Sequence, residues 1–179
     1  MSTRIQAASA ANAADANALD LAFEVDSRLL LSATPAGISY EIIPVQPYLK
    51  TYPADGERIP AEYLNSAESA AFLAYADGCP AGMILLSTGW NGLAVIDDIA
   101  ISSAWRRRGI GAALVAQAKE WARQQGLPGI MLETQDNNVA ACRLYERCGF
   151  ALKGFDRGLY AAQDGVSAET ALFWYYLES

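Results

Sequence analysis

At Gly109 the hydrophobic period of the chain changes, and this change limits the folds open to it. Upstream, Ala70 to Ala76 and Ala81 to Ser87 are apolar runs joined by Asp77, Gly78, Cys79 and Pro80, a hairpin signal. A second turn, Gly89-Trp90-Asn91-Gly92, leads into Leu93 to Ile101, so three sequential antiparallel strands are the simplest arrangement. Downstream, Ile110, Leu114, Ala118 and Trp121 fall on one face of a helix that ends near Gly126. Ile130 to Glu133 then reads as a buried strand. Ala141, Leu144, Tyr145 and Cys148 mark a second amphipathic helix, stopped by Gly149. Strand, helix, strand, helix implies parallel pairing in this half.

The flanks complete a mixed α/β sheet. Ile38 to Val45 reads as a strand closed by Pro44 and Pro47, followed by a loop with Pro53, Asp55, Gly56 and Pro60 and a short helix around Ala61 to Asn65. Phe150 to Tyr160 and Thr170 to Leu177 are aromatic-rich and read as two more strands. A length of 179 residues fits one domain, expected over residues 21–179. Residues 1–20, rich in Ala, Asn and Ser and without a signal-peptide pattern, are expected to be a flexible leader or a short helix. No run approaches the roughly 20 apolar residues that span a bilayer. A soluble, cytoplasmic protein without a membrane partner is therefore expected.

Composition removes several kinds of chemistry. The chain has no histidine, which excludes Ser-His-Asp and Cys-His nucleophilic systems and imidazole zinc sites. Cys79, Cys142 and Cys148 lack metal-ligand spacing and read as reduced thiols, so no metal is expected. With 20 acidic against 13 basic side chains the formal charge is -7, a field that repels nucleic-acid phosphates and attracts cations. A cationic small substrate suits it better than nucleic acid.

Between the third strand and the helix stands Trp105-Arg106-Arg107-Arg108-Gly109-Ile110-Gly111-Ala112. A helix N-terminus offers unpaired N–H groups and a partial positive charge, and glycines let that backbone approach an anion closely. A P-loop would need Gly-Lys-Ser/Thr where this chain has Gly111-Ala112-Ala113, and the third glycine of a dinucleotide fingerprint is here Leu114. Alone, the loop supports anion binding and no more. Downstream comes Asn138-Val139-Ala140-Ala141-Cys142-Arg143-Leu144-Tyr145-Glu146-Arg147-Cys148-Gly149-Phe150.

This ordered pair of motifs resembles the GNAT superfamily of N-acetyltransferases, which combine R-x-x-G-x-G/A with N-x-x-A-x-x-L-Y-x-x-x-G-F. The resemblance implies a mostly antiparallel sheet of six to seven strands flanked by helices, with a parallel pair at the cofactor site. It also implies acetyl-CoA as acetyl donor. Its pyrophosphate would be bound by the loop Arg106, Arg107, Arg108, Gly109, Ile110, Gly111 and Ala112. Ile99, Ala100 and Ile101 of the preceding strand, with Asn138, Ala141 and Tyr145, would line the remainder.

An alkylammonium of pKa about 10.4 must lose a proton before it attacks a thioester, so a carboxylate reached directly or through water is useful. Asp97 and Asp98 lie in the strand before the loop, where strict alternation would point them to opposite faces. By the resemblance Asp97 is the base or amine anchor, and Tyr145 the proton donor to the departing thiolate.

Leu132 to Asn138, Ser87 to Asn91 and Thr170 to Tyr176 further resemble the streptothricin acetyltransferases, which acetylate an amine of the β-lysine part of streptothricin antibiotics and confer resistance. Tyr48, Tyr52, Trp90, Asn91, Asp97 and Glu133 are candidates for the amine pocket, as aromatic faces or acceptors for a cation. Another acceptor (a polyamine, an aminoglycoside or a protein amine), or a non-catalytic acetyl-CoA-binding module, also fits the motifs. The aromatic C-terminal strand leaves a homodimer open.

Overall fold

A computed structural model describes residues 2–51 and 56–178. In chain order the strands are β1 (Thr3–Ala7), β2 (Phe23–Thr34), β3 (Gly37–Lys50), β4 (Ser69–Ala76), β5 (Cys79–Thr88), β6 (Ala94–Ile101), β7 (Gly129–Gln135), β8 (Ala151–Asp156) and β9 (Ala171–Leu177); the α-helices are α1 (Ile110–Gln124) and α2 (Val139–Arg147). The result is the expected mixed α/β class. Internal contacts divide it into two compact units, one built from Met1–Phe23 and Thr51–Ile130, the other from Glu24–Lys50 and Met131–Leu177.

In the first unit β1, β4, β5 and β6 pair in that order, each antiparallel to its neighbour. Asp77 and Gly78 both take positive φ, 49° and 85°, as a tight hairpin turn requires, and Pro80 enters β5 beside an irregularity at Ala74/Tyr75. Ala81 to Leu86 is buried without alternation because both faces of β5 are covered. On one side lies a cluster of Ala16, Leu19, Ile59, Ala71, Leu73, Met83, Leu85 and Ala100. On the other lies α1, whose buried face (Ile110, Leu114, Val115, Ala118, Trp121, Ala122) includes all four residues expected from the period. A Cβ on Gly82 would meet the Ala100 carbonyl at 2.7 Å and Leu114 at 3.2 Å, so this glycine lets the helix close on the strand.

Three expectations are corrected here. Of the two alternatives for residues 1–20, the short helix is present as the 3-10 helix Ala13–Ala18, which buries Ala16 completely, and the flexible leader is not, since Thr3–Ala7 pairs with β4. The pairing partner is some seventy residues away, so local composition carries no trace of it. Pro44 and Pro47 do not close a strand; β3 runs through both as half of a two-stranded ribbon with β2, and every strand of such a ribbon is an edge strand, where proline is tolerated. The expected short helix is a single 3-10 turn, Ala61–Tyr63, and Pro53 and Asp55 of the expected loop lie outside the described residues.

In the second unit β9 lies between β7 and β8, with Leu152 opposite Trp174 in the antiparallel β8–β9 pair. The strand expected to reach Tyr160 ends at Asp156. Helix α2 buries Val139, Cys142 and Tyr145, a face turned from the expected Ala141-Leu144-Tyr145-Cys148. The turn brings the Cys142 thiol inside, where burial pushes its pKa up to about 12 and leaves it inert.

Candidate active site

The loop after β6 is held from beneath and open at its tip. Ser102 is buried, and a 3-10 turn over Ser103–Trp105 follows it. The Arg106 guanidinium donates to the carbonyls of Ile101 (3.1 Å) and Ala22 (2.7 Å), so this side chain fastens the loop base rather than reaching outward. Asp20 accepts from the Ser103 hydroxyl, and its carbonyl accepts from the Ser103 N–H at 2.9 Å. The N-terminal segment thus anchors the loop. Arg107 adopts φ 59° and Gly109 φ 84°, both in the left-handed region, and Arg108 lies 5.1 Å over the Trp105 ring.

Helix α1 starts directly after Gly109, and no side chain caps it. The N–H groups of Ile110, Gly111 and Ala112 lie in the first turn, where intrahelical partners are lacking, so the helix presents donors and a positive dipole end. Helix α2 differs. The Asn138 side chain accepts from the Ala141 N–H at 3.2 Å and caps it, which gives two residues expected at the cofactor a local structural role.

Asp97 sits at a β-bulge. Leu85 pairs with Asp98 and Leu86 with Ile96, which leaves Asp97 as the extra residue on β6. The bulge breaks the two-residue alternation, so the strict opposition expected of Asp97 and Asp98 does not hold. Burial raises the pKa of the Asp97 carboxyl, and the hydroxyls of Ser87 and Tyr63 facing it hold it back toward the charged form. Burial also raises Asp98, opposed by the Ile99 N–H and Arg58 and reinforced by Asp97. The Tyr63 phenol, partly buried and close to both carboxylates, is itself pushed up to about 12. Asp97 keeps an exposed face, so a carboxylate whose proton affinity is raised and which an acceptor can still reach is what amine deprotonation needs.

In the second unit Tyr145 is buried on α2, its ring 6.0 Å from Phe150 and 6.3 Å from Trp174 in tilted packing that fixes its orientation. The neighbouring Glu146 accepts a short hydrogen bond from the Tyr40 hydroxyl of β3.

A polar network lies in the same unit. Lys50, almost buried, is 2.7 Å from both carboxylate oxygens of Glu169; the Asn137 amide donates to Glu169 at 2.9 Å and to the Tyr48 hydroxyl at 2.8 Å. Glu133 accepts from the Tyr160 hydroxyl; burial raises its pKa, the Tyr160 bond opposes this, Glu169 adds to it and Lys50 lowers it. Two expected pocket residues, Tyr48 and Glu133, are therefore tied to the Lys50–Glu169 pair. Nearby, buried Asp136 is 2.5 Å from Arg28, and a cavity of about 400 Å³ is bordered by both, with Arg157 and Glu169. Trp90 and Asn91 belong to the first unit, in the β5–β6 turn: Trp90 is 99% exposed, and Asn91 shapes the turn by accepting from the Leu93 N–H at 3.1 Å. Tyr52 lies outside the described residues. Among the described residues no cluster of His, Cys, Asp and Glu could hold a metal.

Sequence reasoning missed Tyr63, Ser87, Lys50, Asn137 and Glu169. Tyr63 follows a turn signal rather than a motif, and Lys50 and Glu169 become partners only across 119 residues of chain. Ser87 and Asn137 lay inside segments that carried the further resemblance and Glu169 lay beside one, yet none of the three was singled out as a site residue.

Residues 39–150 match the acetyltransferase (GNAT) family. A streptothricin acetyltransferase of Escherichia coli is 42% identical over 132 residues, covering 74% of this chain and 72% of that protein. Among solved structures, a Bacillus anthracis protein described as a streptothricin acetyltransferase, in complex with acetyl coenzyme A, superposes with a TM-score of 0.89 at 37% identity, covering 100% of this chain and 99% of that one. A nourseothricin acetyltransferase follows, with a TM-score of 0.83 and 31% identity over the whole of both chains. The chain belongs to the GNAT family of acetyltransferases.

Proposed function

We propose that the protein transfers the acetyl group of acetyl-CoA to a primary amine of a streptothricin-type antibiotic, and that this confers resistance. The uncapped start of α1 carries the reading most directly: three amides at the positive end of a fifteen-residue helix suit a pyrophosphate, with Arg107 and Arg108 beside them. The cofactor supplies an activated acyl thioester. Ile99 to Ile101 and the second unit's Asn138, Ala141 and Tyr145 complete the set proposed to hold it.

The residues of the chain divide the remaining work. Asp97 accepts the ammonium proton of the acceptor or anchors that ammonium, directly or through water, and Tyr145 returns a proton to the sulfur as it leaves. Tyr48, Tyr52, Trp90, Asn91 and Glu133 are proposed to bind the acceptor, whose positive charge suits a chain of net charge -7. The odd count of three cysteines fits a reducing compartment, and we place the enzyme in the cytoplasm. Purified protein incubated with streptothricin and acetyl-CoA should release free CoA and add one acetyl mass to the antibiotic. If CoA appears only with polyamines, aminoglycosides or peptide amines, the acceptor assignment is wrong while the reaction class stands.

Tyr63 tunes the base in this scheme. Its hydroxyl favours ionised Asp97, so Tyr63→Phe leaves burial less opposed and raises the Asp97 pKa further. The acid limb of the kcat/KM pH profile should move to higher pH, with activity at high pH little changed. A profile that overlays the parent's would remove Tyr63 from the mechanism.

A further inference from the structure

Tyr160 lies in the connection between β8 and β9 and is 5% exposed, whereas the residues around it, from Arg157 to Gly165, are all exposed. Packing alone would be served by phenylalanine, which brings no hydroxyl to satisfy. That hydroxyl donates to the Glu133 carboxylate of β7, and the Gln135 side chain hydrogen-bonds to it in turn. Burial and the Glu133 carboxylate push the Tyr160 pKa up, so the phenol stays a neutral donor.

Glu133 itself is exposed, between buried Leu132 and Thr134, and so remains open to a ligand. Asp136 and Glu169 of the same unit each hold a cation, Arg28 at 2.5 Å and Lys50 at 2.7 Å. Glu133 forms no ion pair among the described residues. The charge of Lys50 reaches it, but both Glu169 oxygens hold that ammonium, and Glu169 acts on Glu133 in the opposite sense. A carboxylate has about four lone-pair directions, and the phenol occupies one on Oε1, which leaves Oε2 for an ammonium.

We infer that Tyr160 is a positioning residue for the acceptor: its hydroxyl fixes the Glu133 carboxylate to receive a positively charged group of that molecule. This rests on the acceptor reading above, in which Glu133 binds the acceptor. A free glutamate side chain spreads over many rotamers, and the phenol removes that ordering cost before the acceptor arrives.

Steady-state kinetics of the full chain with acetyl-CoA and streptothricin supply the test. Tyr160→Phe keeps the ring in its buried space and should raise the acceptor KM about tenfold, the size of one hydrogen bond to a charged group, with kcat and the acetyl-CoA KM within about twofold. Glu133→Gln should raise the acceptor KM at least as much, and adding Tyr160→Phe to it should cost less than about twofold more, since the charge being positioned is gone. Glu133→Asp keeps the charge but draws it back from the phenol by one methylene; it should behave like Tyr160→Phe and replaces that variant if it does not fold. An unchanged acceptor KM in Tyr160→Phe, Glu133→Asp or Glu133→Gln overturns the proposal even where the melting temperature falls, because a purely structural tyrosine moves the melt alone. An equal rise from Tyr160→Phe in the Glu133→Gln background overturns it too, by detaching Tyr160 from Glu133. In each of these cases a parent enzyme that acetylates streptothricin leaves the acceptor reading standing. A parent enzyme that does not acetylate it removes that reading and the proposal together.

Discussion

Gly111→Glu should abolish acetyl-CoA binding while leaving the fold intact. Gly111 is the second residue of α1, two residues past the Gly109 cap position, where the amides and the dipole favour an anion. A glutamate there brings its own carboxylate to those donors and repels the incoming pyrophosphate. The loss of two charge-assisted hydrogen bonds is worth roughly 3 kcal/mol, so Kd should rise at least about 100-fold. Stability should not suffer, since an acidic residue in the first turn favours the helix. Calorimetry and a thermal melt report the two quantities separately, and Gly111→Ala serves as the neutral control. Binding within threefold of the parent would mean that the cradle lies elsewhere.

Asp97→Asn should cost activity without costing stability. Loss of a positioned general base lowers kcat/KM by about 10² to 10⁴. Burial raises the Asp97 pKa in the folded chain above its ordinary value, so the folded state holds that proton more tightly than the unfolded one. The stability this confers is present at low pH and is lost as pH rises through the folded pKa. At pH 7 the charged carboxylate is a small burden on the native state, since the exposed side chain is screened by water, and neutral asparagine removes it. Melts of the two proteins should match in acid, with the variant equal or more stable at neutral pH. A variant that melts markedly lower at pH 7 would make Asp97 a structural residue.

The two predictions rest on features of different legibility. The α1 cradle was readable because it is local: Gly109, Gly111 and the recurrence of Ile110, Leu114, Ala118 and Trp121 fix a helix and its start within a few turns, and all four apolar residues are buried. The Asp77-Gly78 turn was readable for the same reason. Asp97 was legible as a carboxylate on a strand, but not as a bulge residue, because a bulge is a property of the register between β5 and β6. Tyr63 and Ser87, which set its ionisation, come to it from other elements. The face of α2 was misjudged because a nine-residue helix gives too few repeats to fix its phase against a packing surface.

The sequence by itself determined the family and the cofactor, through two motifs whose order and spacing are local facts of the chain. It also determined the class of fold, since a change from period two to period 3.6 follows from backbone geometry alone. Only the tertiary structure decided that the first twenty residues belong to the core and anchor the loop through Asp20 and Ala22. It alone turned Arg106 inward, joined Lys50 to Glu169 and left the Trp174 N–H unpaired. Each depends on which distant backbone or side chain closes against another, a matter of packing and desolvation that neither periodicity nor composition encodes.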